Sequence, residues 1–551
     1  MRTNRPLLRR IGVVVGSVTL ILLLGAAIEE SVQRVLRGEE LLTAVYQSIV
    51  NEYVEEVSPD ALFRAGVEGM LRHTDPYAEL IEQRENSEVD MLAKGVYHGL
   101  GIKVAKHGTR HVVSYIYDEI RPLTNLRLGD QLLRIDSVDL RTQDVTDLRP
   151  LLRGPAGSTV NLLVRRPGIS DSLAMTVLRR SVTIDPLPVE RISPDGILYL
   201  RLSRFTRSAA DSVGRALSRA RETGRVRGIV FDLRDNPGGL LEAAVAIADN
   251  FVPAGTPIVS MRGRQPNALR MYRARTDAHD ATVPIALLVN ARSASASEIL
   301  AGAMQDLDRG IVIGHRTFGK GLVQTLIPLS YNAWLKLTTS RYYIPSGRCI
   351  QRLAYPEGKA ARVESSGDND PEFRTLRLAR IVRESNGIVP DLVLPQDSLS
   401  PLRRCLERYD GYFGFVSLYI NRNAPKSVPR IGAGIRADFR RHADSLMACE
   451  GTALSDAYDA LRREARTQNL DASGTRLVEE LGEKIRQLHA RRFDTEWELI
   501  RARLEEEFIF HMHGDLARQR HQLTRDDAVQ RAETLLRDTA AYEAAFLPAE
   551  Q

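Results

Sequence analysis

At 551 residues the chain is too long for one ordinary hydrophobic core, so several domains are expected. Its 43% hydrophobic and 26% charged content is that of a globular protein. Net charge is only +6, from 76 basic and 70 acidic residues intermixed without a Lys/Arg block, and no nucleic-acid partner is inferred.

The chain opens on MRTNRPLLRR, with four arginines and no acid, followed by an uncharged apolar run from Ile11 to Ile28 that ends at Glu29-Glu30. That length and its positive flank predict a membrane anchor over residues 1–28 with a cytoplasmic tip, which places the rest of the chain across the membrane. Gly25-Ala26-Ala27 supplies the alternative, a signal peptide cleaved after its small residues. Residues 29–93 follow as a helical segment: apolar positions in LLTAVYQSIVNEYV and DALFRAGVEGMLRH recur at helical spacing, and Asp75-Pro76 closes the segment.

Residues 94–178 change to short apolar alternations separated by turns: GLGIKV, HVVSYIY, DQLLRID and TVNLLVRR. In HGLGIKV the turn of His98, Gly99, Leu100, Gly101 and Ile102 runs straight into a strand. Successive N–H groups in such a turn form a concave anion site, and the strand edge beside it accepts an extended peptide. With LRLGDQLLRID and LLRGPAGSTVNLLV, this stretch resembles a PDZ domain, which captures a free C-terminus on a sheet edge. EIRPLTNLRLGD departs from that pattern by lacking a run of small residues, and a generic small β-barrel is the other reading.

From 179 to 400, strands alternate with helices, as in GILYLRLSRF, SAADSVGRALSRARETG, RGIVFDLRDN, LLEAAVAIADNFV, PIALLVN and ASEILAGAMQDL. This is the pattern of an α/β core, closing near Gly387-Ile-Val-Pro-Asp391. Residues 401–551 read as a C-terminal helical domain of long charged stretches that could dock an adaptor, self-associate or cover a site. His511 and His513 there do not share a helical face and have no third ligand nearby, so no metal is expected. Cys349, Cys405 and Cys449 lack metal-ligand spacing and are read as buried small hydrophobes, with a Cys405–Cys449 bridge as the alternative. The fold class is thus multidomain α+β.

Three stretches of the core carry candidate chemistry. FDLRDNPGGLLEAA, residues 231–244, ends a strand in Asp235-Asn-Pro-Gly-Gly239 before a helix, where glycines free N–H groups to face a ligand. A tight turn with no ligand would use the same residues. VNARSASASEILAG, residues 289–302, sets serines at alternate positions; Ser295-Ala-Ser-Glu298 fits a capping box. The same place suits a nucleophile, because alanines leave room for a substrate backbone and the helix N-terminus stabilises developing negative charge. GHRTFGKGLVQ, residues 314–324, begins like a phosphate-binding P-loop, but Gly321 stands where Ser or Thr is needed and a strand follows instead of a helix. What remains is a glycine-flanked Lys320, either an exposed turn residue or a base.

A serine nucleophile needs a base, and the core offers only His279 and His315, neither in a glycine-framed turn. A lysine serves if it is neutral, and bringing its pKa from about 10.4 to near 7 costs roughly 4–5 kcal/mol, so it must be enclosed. Phe318, Leu322 and Val323 are candidates for that enclosure.

Together SASASE, FGKG-LVQ, NPGG, the preceding PDZ-like module, DPYAEL, YIPSGRCIQ and GIVPDLVLP closely resemble the C-terminal processing peptidases, or tail-specific proteases, over roughly residues 40–395. The resemblance implies a serine endopeptidase with Ser295 as nucleophile and Lys320, 25 positions later, as base. It implies that Gln324 orients the lysine and that Gly238 or Gly239, together with Ala296, supplies the oxyanion donors. It also implies that His98 to Ile102 hold substrate tails, apolar ones being favoured, with no metal or organic cofactor. The expected location is a bacterial envelope, anchored in the inner membrane with the catalytic region in the periplasm, or released there after signal cleavage. Two other readings stand beside it: a PDZ scaffold with a non-cutting protease-like core, and an α/β acyl-transfer or hydratase enzyme.

Overall fold

The computed structural model describes residues 32–82, 91, 95–142, 148–224, 226–264, 269–278, 280–355, 361–362, 370–384, 386–395, 399–449, 453–468 and 470–547. The expected anchor lies outside these residues, and no described helix is long and apolar enough to cross a membrane.

Residues 32–52 and Pro59–Arg72 are helical, the second started by Ser58, whose side chain accepts the Ala61 N–H, with proline at the first turn. A small β module follows. Its sheet runs Ile102–His107, Arg110–Ile116, Gln131–Ile135, Thr159–Arg165, Ser172–Leu178, antiparallel throughout. Alternation gives it one buried face: Val160, Leu162 and Val164 point inward with Val113, Leu132 and Ile135. The Gly-Asp turn in LRLGDQLLRID is fixed by Asp130, which receives the Arg166 guanidinium through two 2.8 Å bonds. Arg180–Thr183 then returns to pair with Val96–Gly99, so the module's pairing extends past residue 178.

The core sheet has the order Val189–Ile192, Ile197–Arg201, Gly228–Asp232, Ile285–Val289, Ile311–Gly314, Leu392–Val393, parallel except for its first pair. Unbroken apolar strands such as IALLV are buried on both faces, as a covered parallel sheet requires. On one face Leu200, Phe231, Leu287 and Val289 meet the helices Ala209–Glu222, Leu241–Asp249 and Ala296–Asp306. On the other, Tyr199, Val230, Ala286 and Leu288 meet Val529, Ala532, Leu536, Tyr542 and Phe546. Those last five residues lie at the C-terminal end of the chain. Tyr542 Oη both donates to the Ile285 carbonyl and accepts its N–H, each at 3.0 Å. A second, antiparallel sheet joins Glu79–Ile81, Trp334–Tyr343, Pro257–Gly263 and Arg270–Arg273, with Leu322–Pro328 also paired to Trp334–Tyr343.

The C-terminal helical domain has its own core of Leu406, Tyr412, Phe415, Phe439, Phe493, Trp497 and Phe508. It also reaches into both other bodies. Phe510 is buried in the core of the β module, and the Asp118 carboxylate of that module accepts the N–H groups of Asp515 (3.0 Å) and Leu516 (2.9 Å) at a helix start. His511 Nε2 lies 2.8 Å from Ser417 Oγ, with its ring against Phe413, which is a packing role. Cys349 and Cys405 are buried. The last 150 residues are therefore part of the fold: without their final helices one face of the core sheet is bare.

Phe510→Ala is expected to cost about 3–5 kcal/mol by emptying a site inside a neighbouring core. Chemical denaturation measures the loss, and amide exchange should rise in Arg110–Ile116 before it rises in the core sheet. An unchanged midpoint would contradict this packing.

Candidate active site

The strand Gly228–Asp232 ends at a buried carboxylate. Burial pushes Asp232 up, and the guanidinium groups of Arg234 and Arg201 outweigh it, holding the group below its ordinary range. The chain then turns through Asp235, at φ +64°, to Asn236-Pro-Gly-Gly239. Asn236 braces that turn: its amide donates to the Leu202 carbonyl at 2.7 Å, and its side-chain oxygen accepts the Gly238 N–H at 2.9 Å. Gly238 thus spends its N–H inside the turn. Gly239 and Ala296 have N–H groups without a hydrogen-bond acceptor among the described residues.

The alternate serines divide into two roles. Ser293 Oγ donates to the Leu233 carbonyl (2.8 Å) and Ser297 Oγ to the Asn236 carbonyl (2.9 Å), both from fully buried positions. These two staple the segment onto the NPGG turn. Ser295, between them, is partly exposed and sits at φ +56°, ψ −115°, a region that costs a non-glycine residue about 1–3 kcal/mol. The two turns touch: a methyl group on Gly238 would lie 2.8 Å from Ser295 Cβ and 2.9 Å from Ala296 N. Only glycine permits that approach.

Glu298 closes the expected capping box by accepting the Ser295 N–H at 2.8 Å, and it does more. The same carboxylate accepts the Thr317 hydroxyl (2.6 Å), the Gly319 N–H (2.7 Å) and the Lys320 N–H (2.9 Å). Burial raises the Glu298 carboxyl, and these four donors oppose the rise. Across from it, buried Tyr342 directs its hydroxyl to the carbonyls of both Ser295 and Lys320. Two bridges therefore hold the serine turn and the lysine loop together. Thr317 in turn accepts the Ile388 N–H at 2.7 Å and Gly321 donates to Gln351 at 2.7 Å, which accounts for GIVPD and the end of YIPSGRCIQ.

Lys320 is shifted below the ordinary lysine range, chiefly by burial and then by the charge of Lys336, against the pull of Asp75 and Glu298. Its Nζ lies 4.3 Å from the centroid of the Tyr77 ring, and among the described residues no hydrogen bond joins it to Ser295 Oγ. Catalytic hydrogen bonds often tighten only around substrate. Gln324 makes no hydrogen bond to Lys320 among the described residues; its amide nitrogen faces Thr338 Oγ1 at 3.2 Å, beside an irregularity in the strand pairing. Of the expected apolar enclosure, Leu322 is buried and Val323 half-buried whereas Phe318 is exposed, and the Tyr77 ring supplies a wall at 4.3 Å. The expected His98–Ile102 turn is shorter in the structure: His98 and Gly99 end a strand paired with Ser181 and Arg180, Leu100 is buried, Gly101 is at φ +68° against Ile120, and Ile102 starts a strand paired on one side only among the described residues. No group of three or more His, Cys, Asp or Glu among the described residues is placed to hold a metal ion.

Glu298→Gln keeps the shape but sets an NH2 group against two of the four donors, whichever way the amide is turned. A loss of about 2–5 kcal/mol is expected from donors left buried without acceptors. Denaturant titration checks it, and a change below about 0.5 kcal/mol would mean that the bridge is not carrying the site.

Comparison with known proteins adds an independent line. Residues 196–356 match the family described as peptidase family S41, and residues 404–536 match "Probable PDZ-protease, C-terminal helical domain". The chain is 35% identical over 313 residues to a carboxy-terminal-processing protease of Bartonella bacilliformis, covering 56% of this chain and 71% of that one. It is 31% identical over 296 residues to a carboxyl-terminal-processing protease of Synechocystis, covering 52% and 68%. Among solved structures, the photosystem II D1 C-terminal processing protease matches at 25% identity over 65% of this chain and 94% of that one, with a TM-score of 0.38. With a relative above 30% identity covered over more than two thirds of its length, the chain belongs to the carboxy-terminal-processing protease family and is a serine-type peptidase.

Proposed function

We propose that this peptidase cleaves polypeptides with Ser295 as nucleophile and Lys320 as general base, after holding the substrate's free C-terminus on the β module. The observation that carries the reading is the double bridge of Glu298 and Tyr342, which ties the serine turn to the loop of a half-buried lysine. The neutral amine takes the Ser295 hydroxyl proton as Oγ bonds to the scissile carbonyl carbon. The resulting oxyanion is received by the free N–H groups of Ala296 and Gly239. The lysine then gives its proton to the leaving amine, and water, deprotonated by the same lysine, releases the acyl group. Gln324, which among the described residues has no hydrogen bond to the lysine, on this reading turns to it as the amine leaves Tyr77.

Tail recognition uses the unpaired side of Ile102–His107, which accepts an extended segment as a further strand, while the Leu100–Gly101 turn meets the carboxylate. The run Ile11–Ile28 tethers the enzyme to the membrane, with its catalytic region outside the cytoplasm.

Cleavage of an unstructured substrate with an apolar tail by the full chain in detergent is the test. Ser295→Ala and Lys320→Ala are each expected to lower kcat/KM at least about a thousand-fold. The parent's kcat/KM should rise with pH as Lys320 loses its proton, levelling off below the ordinary lysine range because burial disfavours the charged form. Amidating the tail should raise KM about tenfold with kcat unchanged. Equal activity in parent and variants would place the chemistry elsewhere.

A further inference from the structure

Tyr77 belongs to the segment between the helix Pro59–Arg72 and the strand Glu79–Ile81, yet its ring lies against the lysine of the candidate site. Three sets of contacts fix it there. Buried Asp75 accepts the N–H groups of Tyr77 (2.8 Å) and Ala78 (3.1 Å), which shapes the turn after Asp75-Pro76. The strand Glu79–Ile81 pairs antiparallel with Trp334–Lys336, and Glu79 accepts a hydrogen bond from Lys336 at 3.2 Å. Tyr355 meets the ring edge-on at 5.8 Å between centroids, and the two hydroxyls are 3.2 Å apart. The hydroxyl end of Tyr77 is engaged with Tyr355, and what it presents to Lys320 is its face.

An aromatic face attracts an ammonium and has little hold on a neutral amine. We propose that Tyr77 is a positioning residue for the base: its ring holds the protonated head of Lys320 between turnovers, and so sets the pH above which the neutral amine forms. The proposal rests on the Ser-Lys reading and adds to it a control supplied by the N-terminal segment. The groups facing the lysine come from several elements. Asp75 and Glu298 favour the charged form, whereas burial and Lys336, itself paired with Glu79, disfavour it. Tyr355 touches the Tyr77 hydroxyl, and burial raises the Tyr77 phenol so that it stays neutral and takes no proton from the amine. Nζ has no hydrogen-bonded partner among the described residues, and the ring face lies 4.3 Å from it, centroid to nitrogen. Removing the π face while keeping apolar bulk takes stabilisation from the charged form alone, which moves the titration to lower pH.

The test follows Lys320 directly. In full-length Ser295→Ala protein in detergent, labelling of the Lys320 peptide by an amine-acylating reagent is measured by mass spectrometry across pH, with thermal melts as a folding control. Tyr77→Leu should move the labelling midpoint down by about one pH unit, and Tyr77→Phe, which keeps the face but loses the hydroxyl pair, should leave it within about 0.3 unit. If Tyr77→Leu does not fold, Tyr77→Met takes its place with the same expectation. A midpoint that stays put or rises in the face-less variant, or moves equally in both variants, overturns the proposal. The kcat/KM profile of the same Tyr77 variants with Ser295 intact separates the two readings. An acidic limb that follows the labelling midpoint supports both. A limb that stays fixed while labelling shifts removes Lys320 as the base, and with it Tyr77's part in the reaction.

Discussion

One buried carboxylate organises the site. Glu298 receives four donors, from Ser295 on the serine turn and from Thr317, Gly319 and Lys320 on the lysine loop. A carboxylate has about four lone-pair positions, so this one is filled, and neither segment can shift without leaving a buried donor unpaired. Tyr342 repeats the constraint from the other side through the two carbonyls. The unusual backbone of Ser295 is held by the same contacts and by the flanking serines, which spend their hydroxyls on the NPGG turn.

The wider fold serves that constraint. Parallel strands bring the NPGG turn, the serine turn and the lysine loop to one end of the core sheet, the place where open α/β sheets usually present their ligands. Three helices cover one sheet face, and the C-terminal end of the chain covers the other. Because Phe510 and the helix start at Asp515 are also bound to the β module, the C-terminal domain couples the proposed tail-binding surface to the sheet that carries the site. The N-terminal segment adds one strand to the second sheet and carries Tyr77 onto Lys320.

Much of this is legible along the chain because the residues concerned answer to local rules. Glycines at the NPGG turn mark a backbone that only glycine permits, serines at a strand-to-helix junction mark a helix start, a glycine-flanked lysine marks a tight loop, and the structure does bring the three turns together. Glu298 is legible as a cap from its S-x-x-E spacing, but its bonds to the lysine loop are long-range and leave no trace in spacing. Gln324 illustrates the opposite limit: position in a motif says which side chain is nearby, not which way it turns in the resting protein. The placement of residues 401–551 was illegible for a further reason. Amphipathic helices announce an apolar face without naming what it covers, so nothing in Val529, Ala532 or Leu536 points to core-sheet strands such as Ile285–Val289, some 240 positions earlier. Tyr77 is hidden in the same way, since DPYAEL reads only as the turn that closes a helical segment and as one of the motifs of the resemblance.

The central claim is that the fold turns one serine into a nucleophile by bringing a half-buried lysine to it. The most direct measurement is the site of covalent capture. The full chain in detergent is treated with a peptidyl phosphonate, which traps an activated serine, and the adduct is located by mass spectrometry. A single adduct on Ser295, absent from Lys320→Ala protein that melts like the parent, is the predicted result. An adduct on another residue, or one on Ser295 that survives the loss of Lys320, would contradict the account.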